Sequence, residues 1–180
     1  MKTKEDRDQD KLLLAIYPTT RGFGFVVFEG RDRTIDWGVK DVRRDKNRKV
    51  LAKIEELVAW YRPDVLVLEN AHGPTSRRAE RIRQLNVLVV EFAKSRRIPV
   101  RQYTRSDIKA AFANREASTK YEIAQAVSHE LPDLAPWLPP PKKIWMSEDR
   151  WLGMFDAASL ALTFYDTRKR GRALQSQMAH

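Results

Sequence analysis

The stretch Leu12–Glu29, LLLAIYPTTRGFGFVVFE, decides how this chain is read. Two apolar runs of strand length, Leu12–Tyr17 and Phe23–Phe28, flank the segment PTTRG. Pro18 fixes φ and Gly22 permits unusual backbone angles, so that segment is a turn. A second turn at Glu29–Asp32 leads to a third run, Thr34–Val39. Three short runs at this spacing predict an antiparallel meander. Gly22-Phe23-Gly24-Phe25 lacks the spacing of a dinucleotide-binding loop and reads as a strand with small residues for close packing.

Beyond the meander the apolar period changes. Val50, Ile54, Leu57, Val58 and Tyr61 recur three or four residues apart, which predicts a helix over 45–61. Arg62-Pro63-Asp64 breaks it. Val65–Leu68 is short and wholly apolar, as expected for a parallel strand buried on both faces. A second helix is predicted over 78–96, a fifth strand over 98–103, and short helices over 105–112 and 118–130. Ser118 and Thr119 offer N-caps to the latter. A proline-rich loop, 132–147, precedes a last helix over 148–168. The order βββαβαβ followed by helices predicts an α/β fold, a five-stranded mixed sheet flanked by helices. We divide the chain into a disordered lead (1–10), one domain (11–168) and a basic tail (169–180).

Composition narrows the partners. The 180 residues carry a formal net charge of +10, with 42% hydrophobic and 32% charged residues. That balance is globular, and no run approaches the ~18 apolar residues of a membrane span. The charged N-terminus has no signal-peptide core, and no cysteine is present. Both fit a reducing cytoplasm. Basic residues cluster at Arg77, Arg78, Arg81 and Arg83, again between Lys94 and Arg105, and after Asp166, beyond which no acid follows. Such clustering favours a polyanionic partner, of which nucleic acid is the commonest. Arg77, Arg78 and Arg81 fall at the start of the second predicted helix, where cations oppose the helix dipole, a further pointer to an anion there.

Two acids stand out. Glu69 ends the central strand VLVLE, at the sheet edge where α/β proteins gather their ligands. It is either a cation ligand or a solvated strand-end acid. Asp156 interrupts the apolar stretch from Trp151 to Leu162. A carboxylate there is paired, metal-bound or at the edge of the buried stripe, because burying a lone charge is expensive. Asp149 lies seven residues earlier, about 10 Å along a continuous helix. His72 is either a phosphate or base contact or an ordinary loop residue. Trp137 and Trp145 either meet a nucleic acid or protein, or tuck the loop onto the core.

Taken together, LLLAIYPTTRGFGFVVFE, DVLVLEN, YTRSDIKAAFANREASTKYEIAQAV and FDAASLAL resemble the RuvC-like Holliday-junction resolvases of the ribonuclease H-like superfamily. The likeness spans roughly residues 12–165. It implies a nuclease that hydrolyses DNA with two Mg²⁺ (or Mn²⁺) ions about 4 Å apart. It also implies Lys109 and Lys120 near the DNA, and a homodimer making two symmetric cuts. The family places an Asp on the first strand, a Glu on the central strand and an acidic or histidine pair three residues apart on the last helix. Glu69 and Asp156 match. Tyr17 stands where the first Asp is expected, and Gly153 and Ser159 stand where the helix partner would be. A neutral phenol is a poor Mg²⁺ ligand. Three accounts follow: a binder of branched or duplex DNA that has lost its catalysis, an endonuclease with a rearranged site of Glu69, Asp156 and Asp149 or Glu148, or a protein-interaction adaptor. The expected nucleic-acid face comprises Lys109, Lys120, Arg77, Arg78, Arg81 and His72.

Overall fold

A computed structural model describes residues 11–73 and 76–178. The lead at 1–10 and the last two residues of the basic tail lie outside the described residues. The meander forms as the turns require: β1 (Leu12–Pro18), β2 (Gly22–Glu29) and β3 (Thr34–Asp41) pair antiparallel. Helix α1 (Lys46–Tyr61) then crosses to β4 (Val65–Glu69), which pairs parallel with β1. Helix α2 (Glu80–Ser95) crosses to β5 (Val100–Tyr103), parallel to β4. The sheet order is β3-β2-β1-β4-β5.

Strand alternation sends side chains to opposite faces, and each face has its own helices. Leu14, Ile16, Leu66 and Leu68 meet Val50, Ile54 and Val58 of α1 and Leu85 and Val89 of α2. Leu13, Ala15, Val65 and Val67 meet α3 (Arg105–Phe112), α4 (Lys120–Glu130) and α5 (Leu152–Met178). The result is a three-layer α/β/α domain. Arg31, Arg115, Glu130 and Asp166 form an ion-pair network tying the β2–β3 turn to α4 and α5; Arg31 lies 2.8 Å from Glu130 and Arg115 3.0 Å from Asp166.

Both α3 and α4 begin with reciprocal capping boxes. Thr104 pairs with Asp107, and Thr119 with Glu122. Hydrogen bonds from the backbone N–H groups of Thr119 and Ser118 hold the Glu122 carboxyl down at about 2. That contribution to stability is present above the usual carboxylate range and is lost as pH falls from about 4.5 toward about 2. Thr119→Ala is expected to cost about 1 kcal/mol in urea unfolding at neutral pH.

Both ends of the last helix depart from expectation, and the second helix starts at Glu80, so Arg77 and Arg78 precede it. Helix α5 begins at Leu152 and not at residue 148, because the preceding residues are held elsewhere. The Asp149 carboxylate accepts the Trp151 N–H at 2.8 Å, and Arg150 pairs with Asp41 at 3.4 Å. Asp149 is therefore not on the helix. At the other end the helix runs on through the basic segment to Met178, where no proline interrupts it. Among the described residues no helix is long and apolar enough to cross a membrane.

Candidate functional site

The site lies where the carboxyl ends of β1 and β4 meet the amino-terminal part of α5. Ile16 pairs with Leu68, so Tyr17 and Glu69 are the next residues on neighbouring parallel strands and project to the same face. Asp156 comes down from α5 onto that face. Glu69 and Asp156 are 6% and 4% exposed, and Tyr17 is 9% exposed.

Each of the two acids faces a basic side chain. Arg78 Nε lies 2.9 Å from Glu69 Oε2, and Lys120 Nζ lies 2.8 Å from Asp156 Oδ2. Lys120 also contacts the Glu148 carboxylate. Both cations rest against Tyr17: the Arg78 guanidinium is 4.9 Å and the Lys120 ammonium 5.4 Å from the ring centroid. Attraction of a cation to the negative face of a ring strengthens where water is excluded. Tyr17 is thus the hub of two acid–base pairs.

The protonation equilibria reflect the burial. Desolvation pushes both carboxyls up, and Arg78 for Glu69 and Lys120 for Asp156 oppose it. Burial would lower Lys120, but the charge and hydrogen bond of Asp156, with Tyr17 and Glu148, carry it above its usual range. Burial also raises the Tyr17 phenol, with Asp156 and Glu69 adding to it, so the ring is neutral at physiological pH. Arg105, the first residue of α3, adds positive charge that acts on both carboxyls.

Close backbone packing sets the space above Tyr17. A Cβ on Gly24, the β2 residue paired with Tyr17, would sit 2.1 Å from the carbonyl carbon of Gly153 on α5. A Cβ on Gly153 would sit 2.8 Å from Thr19 Cγ2. The helix can approach β2 this closely only with glycine at position 24, whereas at position 153 the tight neighbour is the Thr19 methyl. Gly153 lines the cleft beside Tyr17, Arg78 and Lys120, so the position where the family would carry a second acid holds no side chain. Ser159, the other candidate, is fully buried and donates to the Asp156 carbonyl at 2.7 Å.

The basic residues divide into two groups. Lys120 and Arg78 turn inward as described, and Arg78 also donates to the Pro18 carbonyl. Arg81 donates to the Thr19 carbonyl at 2.9 Å and to Asn47 at 3.0 Å, pinning the β1–β2 turn. Arg77, His72 and Lys109 are exposed. The first two lie between β4 and α2, just past Glu69, and the third on the helix after β5. Asp149 lines the same cleft as Tyr17, Lys120 and Glu148, with one oxygen accepting the Trp151 N–H, and among the described residues no three His, Asp or Glu side chains are grouped to hold a metal ion. Sequence reasoning did not single out Arg78 as the partner of Glu69, the contact of Glu148 with Lys120, or Asn86. Buried Asn86 donates to the Glu69 carbonyl at 2.9 Å and anchors that strand end. Its one sequence signal is a polar residue on the apolar face of α2.

No family model matches the chain, and no curated protein matches it in sequence. Solved structures do. Thermus thermophilus RuvC superimposes with a TM-score of 0.65 at 18% identity, covering 89% of this chain and 96% of that one. T. thermophilus RuvC in complex with Holliday junction substrate gives 0.65 at 19%, with the same coverage. The yeast mitochondrial Holliday junction resolvase gives 0.62 at 13%, covering 94% of this chain and 85% of that one. Identities this low speak to architecture: this chain has a RuvC-like, ribonuclease H-like fold, with the five-stranded mixed sheet flanked by helices.

Proposed function

We propose that this protein binds branched or duplex DNA without metal-dependent cleavage, through the sheet edge that in its structural relatives belongs to a nuclease. The observation that carries this reading is the pairing of both remaining carboxylates with cations across Tyr17. Two Mg²⁺ ions need several oxygen ligands, most of them free of competing charge. Here the first-strand position holds a neutral phenol, position 153 holds no side chain, and Glu69 and Asp156 each face a cation, Arg78 and Lys120, the lysine being shared with Glu148. The residues present do not fit the metal pair. Arg78 and Lys120 supply the positive charge that the ions would otherwise bring to these carboxylates.

The outer face supports the binding half of the reading. Arg77, Lys109 and His72 are exposed, and the chain carries +10 overall. A phosphate-led interface loses affinity linearly in log salt, with a slope near −0.9 per phosphate contact. Lys109→Ala is expected to weaken four-way junction and duplex binding alike and to reduce that slope by about 1. Fluorescence anisotropy between 50 and 200 mM salt, as the usual range for such slopes, measures both. Affinity that does not change with salt would sink the DNA reading and leave an adaptor role.

The catalytic half is tested with labelled junctions and duplexes incubated with Mg²⁺, Mn²⁺ or EDTA. Binding is expected to survive EDTA, with no cleavage under any condition. Cleavage by the native chain that disappears in both Glu69→Gln and Asp156→Asn would establish a rearranged active site. A four-way junction is two-fold symmetric, so two copies are expected to act together. The exposed Val87 and Leu88 on α2 offer an apolar surface for that pairing.

A further inference from the structure

The loop between the 3₁₀ turn Pro132–Trp137 and helix α5 is firmly held at both ends and exposed in the middle. At its start Pro139 is buried, and its carbonyl accepts the Tyr121 hydroxyl at 3.0 Å. At its end Glu148 contacts Lys120 and Arg150 pairs with Asp41. Trp137 and Trp151 stack across the two ends with centroids 4.4 Å apart. Trp137 thus holds the start of the loop to its end through Trp151, with 41% of its own surface still exposed.

Trp145 does the opposite. The tip is a turn closed by the Met146 N–H donating to the Lys143 carbonyl at 3.0 Å. It lifts three consecutive apolar residues into water: Ile144 is 99% exposed, Trp145 79% and Met146 49%. Nothing in the packing of the domain calls for them there. Lys142 and Lys143 flank the tip, and the Lys143 ammonium lies 5.4 Å from the Trp145 ring centroid. Lys142 and Lys143 put positive charge at the tip itself, and the acids Glu148 and Asp149 lie further on, at the base of the loop, where Glu148 contacts Lys120.

We infer that the Ile144–Trp145–Met146 tip is a stacking platform for an unpaired nucleobase, with Lys142 and Lys143 on its adjoining phosphates. The inference rests on the DNA-binding reading above and adds what part of the DNA is recognised. An aromatic face offers every base a stacking partner, while cations beside it track the backbone. A purely apolar partner would gain nothing from the two lysines. The base of this loop, Glu148 to Arg150, lines the cleft with Tyr17, Arg78 and Lys120, so the tip belongs to a loop that borders the site. A branch point held over that cleft would present its unpaired bases to the tip.

The test uses the full chain and three DNAs of equal length: a duplex, a duplex with one unpaired 2-aminopurine, and a four-way junction with 2-aminopurine at the branch. Native protein is expected to bind the last two more tightly than the duplex and to change the probe's fluorescence. Trp145→Ala is expected to lose about 10-fold in affinity for those two, and the fluorescence change with it. Plain-duplex affinity should hold, and Trp145→Phe should recover most of the loss. Trp60→Ala, an equally exposed tryptophan on α1 (81% exposed), should behave as native. Salt-dependent binding by the native chain with no effect of Trp145→Ala would overturn the platform and leave the DNA-binding reading intact. Absence of binding to all three DNAs would overturn both, and point the tip toward a protein partner.

Discussion

Lys120→Met is expected to lower stability by about 3 kcal/mol at neutral pH, because it strips the cation from a buried carboxylate. Asp156 is 4% exposed and its Oδ2 lies 2.8 Å from the Lys120 ammonium. Removing one partner of a buried pair costs more than the pair itself is worth, since the other charge stays desolvated. The lower part of the usual range applies, because the lysine side chain is 34% exposed and Asp156 can take up a proton instead. Two further measurements identify the cause. Adding Asp156→Asn to Lys120→Met should restore most of the loss in urea unfolding. The deficit should also shrink as pH falls from 7. The folded-state pKa of Asp156 is already raised by burial, and losing Lys120 raises it further. An acid so shifted destabilises the fold only above its unfolded range, and protonation removes the penalty. A deficit independent of pH would mean that lost packing over Tyr17, and not the stranded charge, sets the cost.

The second large effect is backbone contact. Gly24→Ala places a methyl 2.1 Å from the Gly153 carbonyl carbon, 2.2 Å from its oxygen and 2.4 Å from the Met154 nitrogen. All three are main-chain atoms, so no rotamer change relieves the clash and α5 must move off β2. Overpacking typically costs 1–3 kcal/mol, and a clash with a rigid helix backbone belongs at or above the top of that range. At roughly 2–4 °C per kcal/mol for a chain of this size, the midpoint of thermal unfolding should fall by about 10 °C. Gly171→Ala is the matched control: it sits on the same helix with nothing within 4 Å of the new methyl. It should be neutral or slightly stabilising, since alanine is the better helix former. If Gly24→Ala were equally benign, the close approach of α5 to β2 would be refuted.

Strand-and-helix order was legible because it is carried by local patterns. Apolar runs of strand length, the Pro18 and Gly22 turn and the three-to-four spacing of Val50, Ile54 and Val58 each act over a few residues. They led to the five-stranded sheet that the structure has. Glu69 and Asp156 were legible for the same reason, as acids in apolar surroundings. Where α5 begins was not, because residues 148–150 are held by Lys120, Asp41 and their own turn, contacts made across the fold. The pairing inside the site was likewise invisible. Arg78 and Lys120 looked like members of a basic surface, one among clustered arginines and one at a helix start. Which way a long basic side chain turns depends on what the fold sets within its reach.

The sequence by itself determined the order of elements and singled out Glu69 and Asp156 as acids beside apolar runs, since these need only residue identity and local period. Only the tertiary structure decided that each acid meets a cation across the Tyr17 ring, that Gly24 lets the helix close onto the sheet, and that Trp137 stacks on Trp151 while Trp145 projects. Those outcomes arise between residues far apart in the chain. They are fixed by distance and burial, and the sequence carries neither until the layers close.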